Sequence, residues 1–162
     1  MAFGSKMGGT ASIAERLVET LRGRGLEASL QTARKVRSLD GFDATVVGSA
    51  IYASRWRPEA VHLLRRMAKS GPHIPVWLFH SGPLGVEGTP EAQPLPKDVR
   101  SFADQLDTRD VITFGGRLRD NPKGFVAKLI AKNRAGDWRD FDRVLDWANA
   151  IADALAAIET QA

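Results

Sequence analysis

A length of 162 residues suits one domain and is enough to bury a continuous core without disulfides or metals. Apolar residues make up 43% and charged residues 26%, which excludes a long disordered segment, and the absence of cysteine excludes thiol chemistry, disulfides and Cys-ligated iron–sulfur clusters. The net charge of +4 favours acidic partners, but the Lys and Arg residues are scattered over 22–37, 55–66 and 117–132 as on solvated faces, so nucleic acid is not an expected partner.

From Thr10, Ile13, Leu17, Val18 and Leu21 recur at spacings of three and four, which predicts a helix over 10–21 with Thr10 as its cap. Gly23 and Gly25 end it, and alternation through Ala28 and Leu30 predicts a short strand over 27–32. The runs Ala44-Thr45-Val46-Val47-Gly48 and Val76-Trp77-Leu78-Phe79 are apolar between turn residues and read as central, buried parallel strands. Between them Pro58 opens a helix with Val61, Leu64, Met67 and Ala68 facing inward. The stretch 82–96 is rich in Gly and Pro and reads as a long surface loop. A further strand is expected at Val111-Ile112-Thr113-Phe114. From Phe141 a closing helix carries Val144, Leu145, Ala148, Ile151, Ala152, Leu155 and Ile158 at helical spacing. Strands alternating with helices call for a doubly wound parallel sheet with helices on both faces, in one domain over 1–162.

Such sheets bind ligands beyond the carboxyl ends of their strands. Three segments fall there. Gly4-Ser5-Lys6-Met7-Gly8-Gly9-Thr10 is a Gly-rich turn into a helix start whose N–H groups suit a phosphate, with Ser5 and Thr10 as further donors; alternatively the glycines only permit a tight turn. Gly48-Ser49-Ala50-Ile51-Tyr52-Ala53-Ser54-Arg55-Trp56 mixes small residues with Tyr52 and Trp56, either of which stacks on a flat ring or packs on the adjacent helix. His80-Ser81-Gly82-Pro83-Leu84-Gly85 follows the second central strand, where Gly82 and Gly85 turn backbone groups toward a ring edge.

Together these three segments resemble the flavodoxin-domain family. Phe114-Gly115-Gly116-Arg117-Leu118, the helix-like stretch 125–133 and Asp137-Trp138-Arg139-Asp140-Phe141 further resemble its protoporphyrinogen-dehydrogenase-like, menaquinone-linked branch. The resemblance implies strand order 2-1-3-4-5 and noncovalent FMN. The phosphate would lie on Ser5, Lys6, Met7, Gly8, Gly9 and Thr10. The ring would lie between Ala50, Ile51, Tyr52, Ala53 and Ser54 on one side and Ser81, Gly82, Pro83, Leu84 and Gly85 on the other. Two departures stand out. Only Met1, Ala2 and Phe3 precede Gly4, so the first strand is expected to be truncated; an upstream start codon is the simpler explanation. Met7 stands where many flavodoxins place a Thr that reaches the phosphate, with Lys6 able to compensate.

His62, His73 and His80 are too scattered for a metal site, so no metal is inferred. His62 is expected to face solvent, and His80 to be structural rather than catalytic. Asp40, Asp43 and Asp98 read as turn and cap residues, which leaves no hydrolytic constellation. The stretch 125–132, with Lys128 and Lys132 one turn apart, is either a basic amphipathic helix resting on anionic lipid or an ordinary packing helix. Trp138 and Trp147 are expected to pack against the sheet. The leading expectation is a cytoplasmic FMN-dependent oxidoreductase, peripheral at the inner face of the membrane if 125–132 docks there. It would pass electrons from an organic substrate, a porphyrinogen among the candidates, to a quinone-type acceptor. An electron carrier without its own substrate and a flavin-free fold used for interaction are the alternatives.

Overall fold

The computed structural model describes residues 1–6, 8–82, 93–118 and 136–161. Strand β1 (Ala2–Gly4) leads into helix α1 (Gly9–Gly23), followed by β2 (Gln31–Thr32) and β3 (Thr45–Tyr52). A hairpin returns through β4 (Arg55–Trp56) to α2 (Pro58–Ser70), which feeds β5 (Val76–Gly82). Helix α3 (Lys97–Gln105), β6 (Asp110–Gly115), the short strands β7 (Arg117–Leu118) and β8 (Gly136–Asp137), and α4 (Phe141–Gln161) follow in order.

The main sheet runs β2-β1-β3-β5-β6 with every one of these neighbours parallel, while β4 pairs antiparallel with β3. With β4 set aside, this is the expected 2-1-3-4-5 order. β1 is as short as the sequence implies, yet it pairs with β3 along its whole length, Ala2 opposite Val47 and Gly4 opposite Ser49.

Side chains alternate across a strand, so adjacent residues enter opposite layers. Val47 and Leu78 pack with Leu63 and Leu64 of α2 and Val99 of α3, whereas Val46, Trp77 and Phe79 pack with Ile13 and Leu17 of α1 and Val144 and Ile151 of α4. Burying each of Leu17, Leu63 and Leu64 stabilises the fold by roughly 1.5–3 kcal/mol. Phe79, Phe114 and Trp147 form a three-ring cluster with every pair edge to face, at centroid distances of 5.8, 6.1 and 5.7 Å. Trp147 also donates its indole N–H to Asp110 Oδ2 at 2.7 Å, which fixes α4 against the start of β6. Packing of Trp147 on the sheet follows the expectation. Trp138 is half-buried, and its backbone N–H bonds to the Gly116 carbonyl at 3.0 Å.

Several elements differ from the sequence reading. The strand expected over 27–32 shrinks to Gln31–Thr32, because this edge is exposed and, among the described residues, only β1 pairs with it. Helix α2 buries Ala60, Leu63, Leu64 and Met67, so the inward stripe is rotated from the one expected: Leu63 is in the core, and Val61 and Ala68 lie at its margin. Asp98 lies in the first turn of α3, where its Oδ1 accepts from the Val99 N–H at 3.0 Å; α3 is a helix unrecognised in the sequence, whose buried Val99 and Ala103 sit one turn apart. The hairpin strand β4 was likewise unrecognised. In α4, Val144, Ala148, Ile151 and Ala152 are buried, Leu145 and Leu155 half-buried, and Ile158 exposed. The amphipathic stretch 125–132 lies outside the described residues. No helix among the described residues is long and apolar enough to cross a membrane.

Candidate functional site

The carboxyl ends of β1, β3 and β5 are in register at one edge of the sheet, with Gly4 beside Ser49 and Ala50 beside Ser81. Beyond β1 the chain turns at once into α1. Gly8 makes that turn possible with φ of +84°, a left-handed conformation that costs a side-chain-bearing residue energy. Gly8, not Thr10, is therefore the cap residue, and α1 starts before the expected position. The Thr10 hydroxyl lies inside the helix, is buried, and shares a hydrogen bond of 2.8 Å with Ser81 Oγ. That bond joins the first segment to the third, although 71 residues separate them.

No side chain caps α1, and the first helical bond is made by the Ser12 N–H to the Gly8 carbonyl. The N–H groups of Gly9, Thr10 and Ala11 precede it, at the positive end of the helix dipole. Ser5 Oγ accepts from the Gly8 N–H at 3.2 Å and holds the loop closed.

A small, partly open cleft lies here. Ser5, Gly9 and Thr10 line it from the first segment, Ala50, Ile51 and Tyr52 from the second, and Ser81 and Gly82 from the third. The last five stand on strands that run further than expected, β3 to Tyr52 and β5 to Gly82. Two lining residues, Gly116 and Arg117, were missed as site residues. Lys6 and Gly8 are exposed beside the cleft. Ala53 and Ser54, with φ of 47° and 59°, form the exposed two-residue turn between β3 and β4. Met7, Pro83, Leu84 and Gly85 lie outside the described residues.

A family model of the flavodoxin domain matches residues 1–135. The chain belongs to the flavodoxin-domain family. Among solved structures, a flavodoxin of Streptococcus pneumonia TIGR4 is similar at 16% identity and a TM-score of 0.60, covering 96% of this chain and 95% of that one. Oxidised flavodoxin 2 from Bacillus cereus is similar at 16% identity and 0.62, covering 94% and 96%. Rubredoxin oxygen:oxidoreductase from Desulfovibrio gigas is similar at 16% identity and 0.65, covering 96% of this chain but 35% of that protein, so the domain spans about a third of its length. At such identities these likenesses establish the fold. No curated protein sequence matches.

The cofactor of a flavodoxin domain is FMN, and the residues of this one fit it. An uncapped helix start faces a loop carrying the Ser5 hydroxyl, as a phosphate requires. The opposite wall is kept low by glycine: a Cβ on Gly82 would lie 2.4 Å from Ile51 Cγ2, and one on Gly116 3.0 Å from the Gly82 carbonyl. Tyr52 is the aromatic that borders the cleft, and burial raises its phenol pKa against the opposing charge of Arg57. Trp56, the other aromatic considered, is buried in the α2 layer instead.

Arg117 adds a cation at the mouth. Its backbone packs on the helix start, with a Cβ built on Gly9 lying 3.3 Å from Arg117 N. Asp137 is 4.0 Å from its guanidinium, but that carboxylate is bonded at both oxygens by Arg139, whose hydrogen bonds hold its pKa below the usual range. Arg139 also donates to Ser12 Oγ at 2.6 Å and ties the end of β8 to the first turns of α1. The signal for Arg117 lay in its place directly after Gly115-Gly116. Finding it required knowing that β6 ends beside β5.

His80 is structural in this domain. It is fully buried on β5, and Trp56 Nε1 donates to its Nδ1 at 3.1 Å, which leaves Nε2 to carry the proton and donate to Thr113 Oγ1 at 2.8 Å. Burial lowers its pKa from 6.5 to about 4. Between those values the unfolded chain holds a proton that the folded one lacks, so stability falls as pH drops from 6.5 toward 4 and is unaffected above 6.5. The cost reaches roughly 3 kcal/mol at the acid end, where a His80→Gln variant carries none of it. Urea denaturation of both proteins between neutral and acid pH checks this: the stability gap between them should narrow by about that amount, and a constant gap would rule the account out.

Proposed function

We propose that this domain is an FMN-dependent oxidoreductase that passes electrons from an organic substrate, a porphyrinogen among the candidates, to a quinone-type acceptor. The observation that carries the cofactor site is that all three strand-end segments line one cleft, the first joined to the third by the Thr10–Ser81 hydrogen bond. Bound there, FMN supplies the hydride or electron transfer that a chain without cysteine or its own redox group lacks. The chain's residues bind and position it. The start of α1 and the Ser5 hydroxyl receive the phosphate. Ala50, Ile51, Ser81 and Gly82 bring backbone close to the ring edge, and Tyr52 borders it. Arg117 places a positive charge beside the cleft, where it favours an anionic ligand. The porphyrinogen and quinone parts rest on resemblance to the menaquinone-linked branch, and peripheral contact with the inner face of a membrane rests on the apolar and basic sequence pattern of 125–132.

The test has two stages. Titration of purified protein with FMN, followed by quenching of flavin fluorescence, is expected to saturate in the micromolar range or below. FMN-loaded protein is then supplied with protoporphyrinogen plus menaquinone and with other quinone couples. Porphyrin formation coupled to quinone reduction supports the full reading. No turnover with any couple, together with rapid electron exchange with redox proteins, would assign it as a carrier, and failure to bind FMN would remove the redox function altogether.

A further inference from the structure

We propose that a second pocket, between the exit of β2 and the start of α2, binds the oxyanion group of a small molecule, a carboxylate or a phosphate, and holds that molecule beside the cofactor cleft. The pocket is an open depression lined by basic groups from three parts of the chain. Arg34 comes from the segment after β2, Arg57 from the junction of β4 and α2, and His62 and Arg66 from successive turns of α2. The buried Ala33 and Leu63 contribute apolar surface beneath them.

Among the described residues only one carboxylate, Glu59, lines the pocket, and it pairs with Arg57 at 3.2 Å. Arg66 Nη2 donates to the Val36 carbonyl at 2.7 Å, which anchors one arm of its fork. Arg34 has no hydrogen-bond or ion-pair partner among the described residues. Three guanidinium groups against one carboxylate leave a positive site, and a guanidinium fork matches two oxygens of a carboxylate or phosphate at once. An apolar floor beneath such forks suits an organic anion better than a hydrated inorganic one.

Its position gives the pocket a use. Arg57 is packed on strand residues that neighbour the cofactor cleft: its backbone N–H donates to Ser49 Oγ at 2.8 Å, next to Ala50, and a Cβ on Gly4 would lie 2.9 Å from Arg57 Cβ. Ser5, the next residue, lines the cleft, and Arg57 acts electrostatically on Tyr52 at its border. A molecule held by its oxyanion here therefore extends along the same edge of the sheet as the cofactor.

Isotopically labelled protein, incubated with excess FMN to occupy the helix start of α1, is titrated with sodium phosphate and separately with sodium citrate at constant ionic strength, and backbone amide shifts are recorded. Saturable shifts of Ala33, Arg34, His62 and Leu63 are expected with at least one anion, and the anion that binds more tightly identifies the group as phosphate or carboxylate. Loss of one charge-assisted contact in Arg34→Gln should weaken that binding about tenfold. The FMN titration of the same variant should be unchanged, so failure here and failure of the cofactor reading are separately visible. Shifts that never saturate, that chloride reproduces, that centre on Gly9 and Thr10, or that survive Arg34→Gln unweakened would each overturn the proposal.

Discussion

Ser5→Asp is expected to weaken FMN binding by about two orders of magnitude while leaving the apoprotein at least as stable as before. Ser5 lines the cleft, and its Oγ accepts from the Gly8 N–H, a role that a carboxylate oxygen can also fill. The new negative charge would stand where we propose that the phosphate binds. At about 5 Å and an effective dielectric near 20, one like-charge pair costs roughly 3 kcal/mol, which is about a hundredfold in affinity. The same charge near the start of α1 favours the helix by about 0.3–1 kcal/mol, because it complements the exposed N–H groups and the dipole. Binding and stability therefore move in opposite directions, which a general disruption of the loop would not produce. FMN fluorescence titration and a thermal melt of the apoprotein measure the two. Unchanged affinity would place the phosphate elsewhere than residues 5–10.

The largest effect on folding is expected at Gly48 on β3. A Cβ there would lie 2.1 Å from two atoms of the Phe79 ring, well inside contact distance. Phe79 has no route away, since it is fully buried and meets both Phe114 and Trp147 edge to face. Gly48→Ala should cost about 3 kcal/mol, at the upper end of what overpacking a dense core costs. Urea denaturation of the variant reads this as a lowered midpoint. Combining it with Phe79→Leu makes room beside residue 48, so the pair should lose less than the sum of the two single changes. Additive losses would show that Gly48 does not act through the ring.

What sequence alone could reveal followed the strength of the local pattern. The runs 44–48 and 76–79 read as central parallel strands because both faces of such strands are covered, so each run is almost wholly apolar. Pro58 and the three-four spacing of α1 and α4 marked helices for the same local reason. Helix α3 escaped notice because Pro and Gly dominate the stretch before it and it buries only Val99 and Ala103. The extension of β3 to Tyr52 and the hairpin through Ala53 and Ser54 also escaped notice: small and polar residues such as Ser49 and Ser54 carry little strand signal, and the pairing partner Trp56 decides the turn.

The site divides in the same way. Glycine-rich and small-residue segments at strand ends are a local feature that carried the family resemblance, and through it Ser5, Gly9, Ala50, Ser81 and Gly82 were expected at one site; all five line the cleft. The sequence could not separate Tyr52 from Trp56, because Tyr52 stays at the cleft where β3 ends and the hairpin turns Trp56 into the core toward His80. Nor could it pair Thr10 with Ser81, bring Arg117 beside Gly9, or gather Arg34, Arg57 and Arg66 around one pocket. The sequence by itself determined the alternation of the main strands and helices, the doubly wound class and the glycine-rich turns at the strand ends, because each depends on neighbours within a few residues. Only the tertiary structure decided which side chains meet there, because those contacts join residues tens of positions apart through the register of parallel strands.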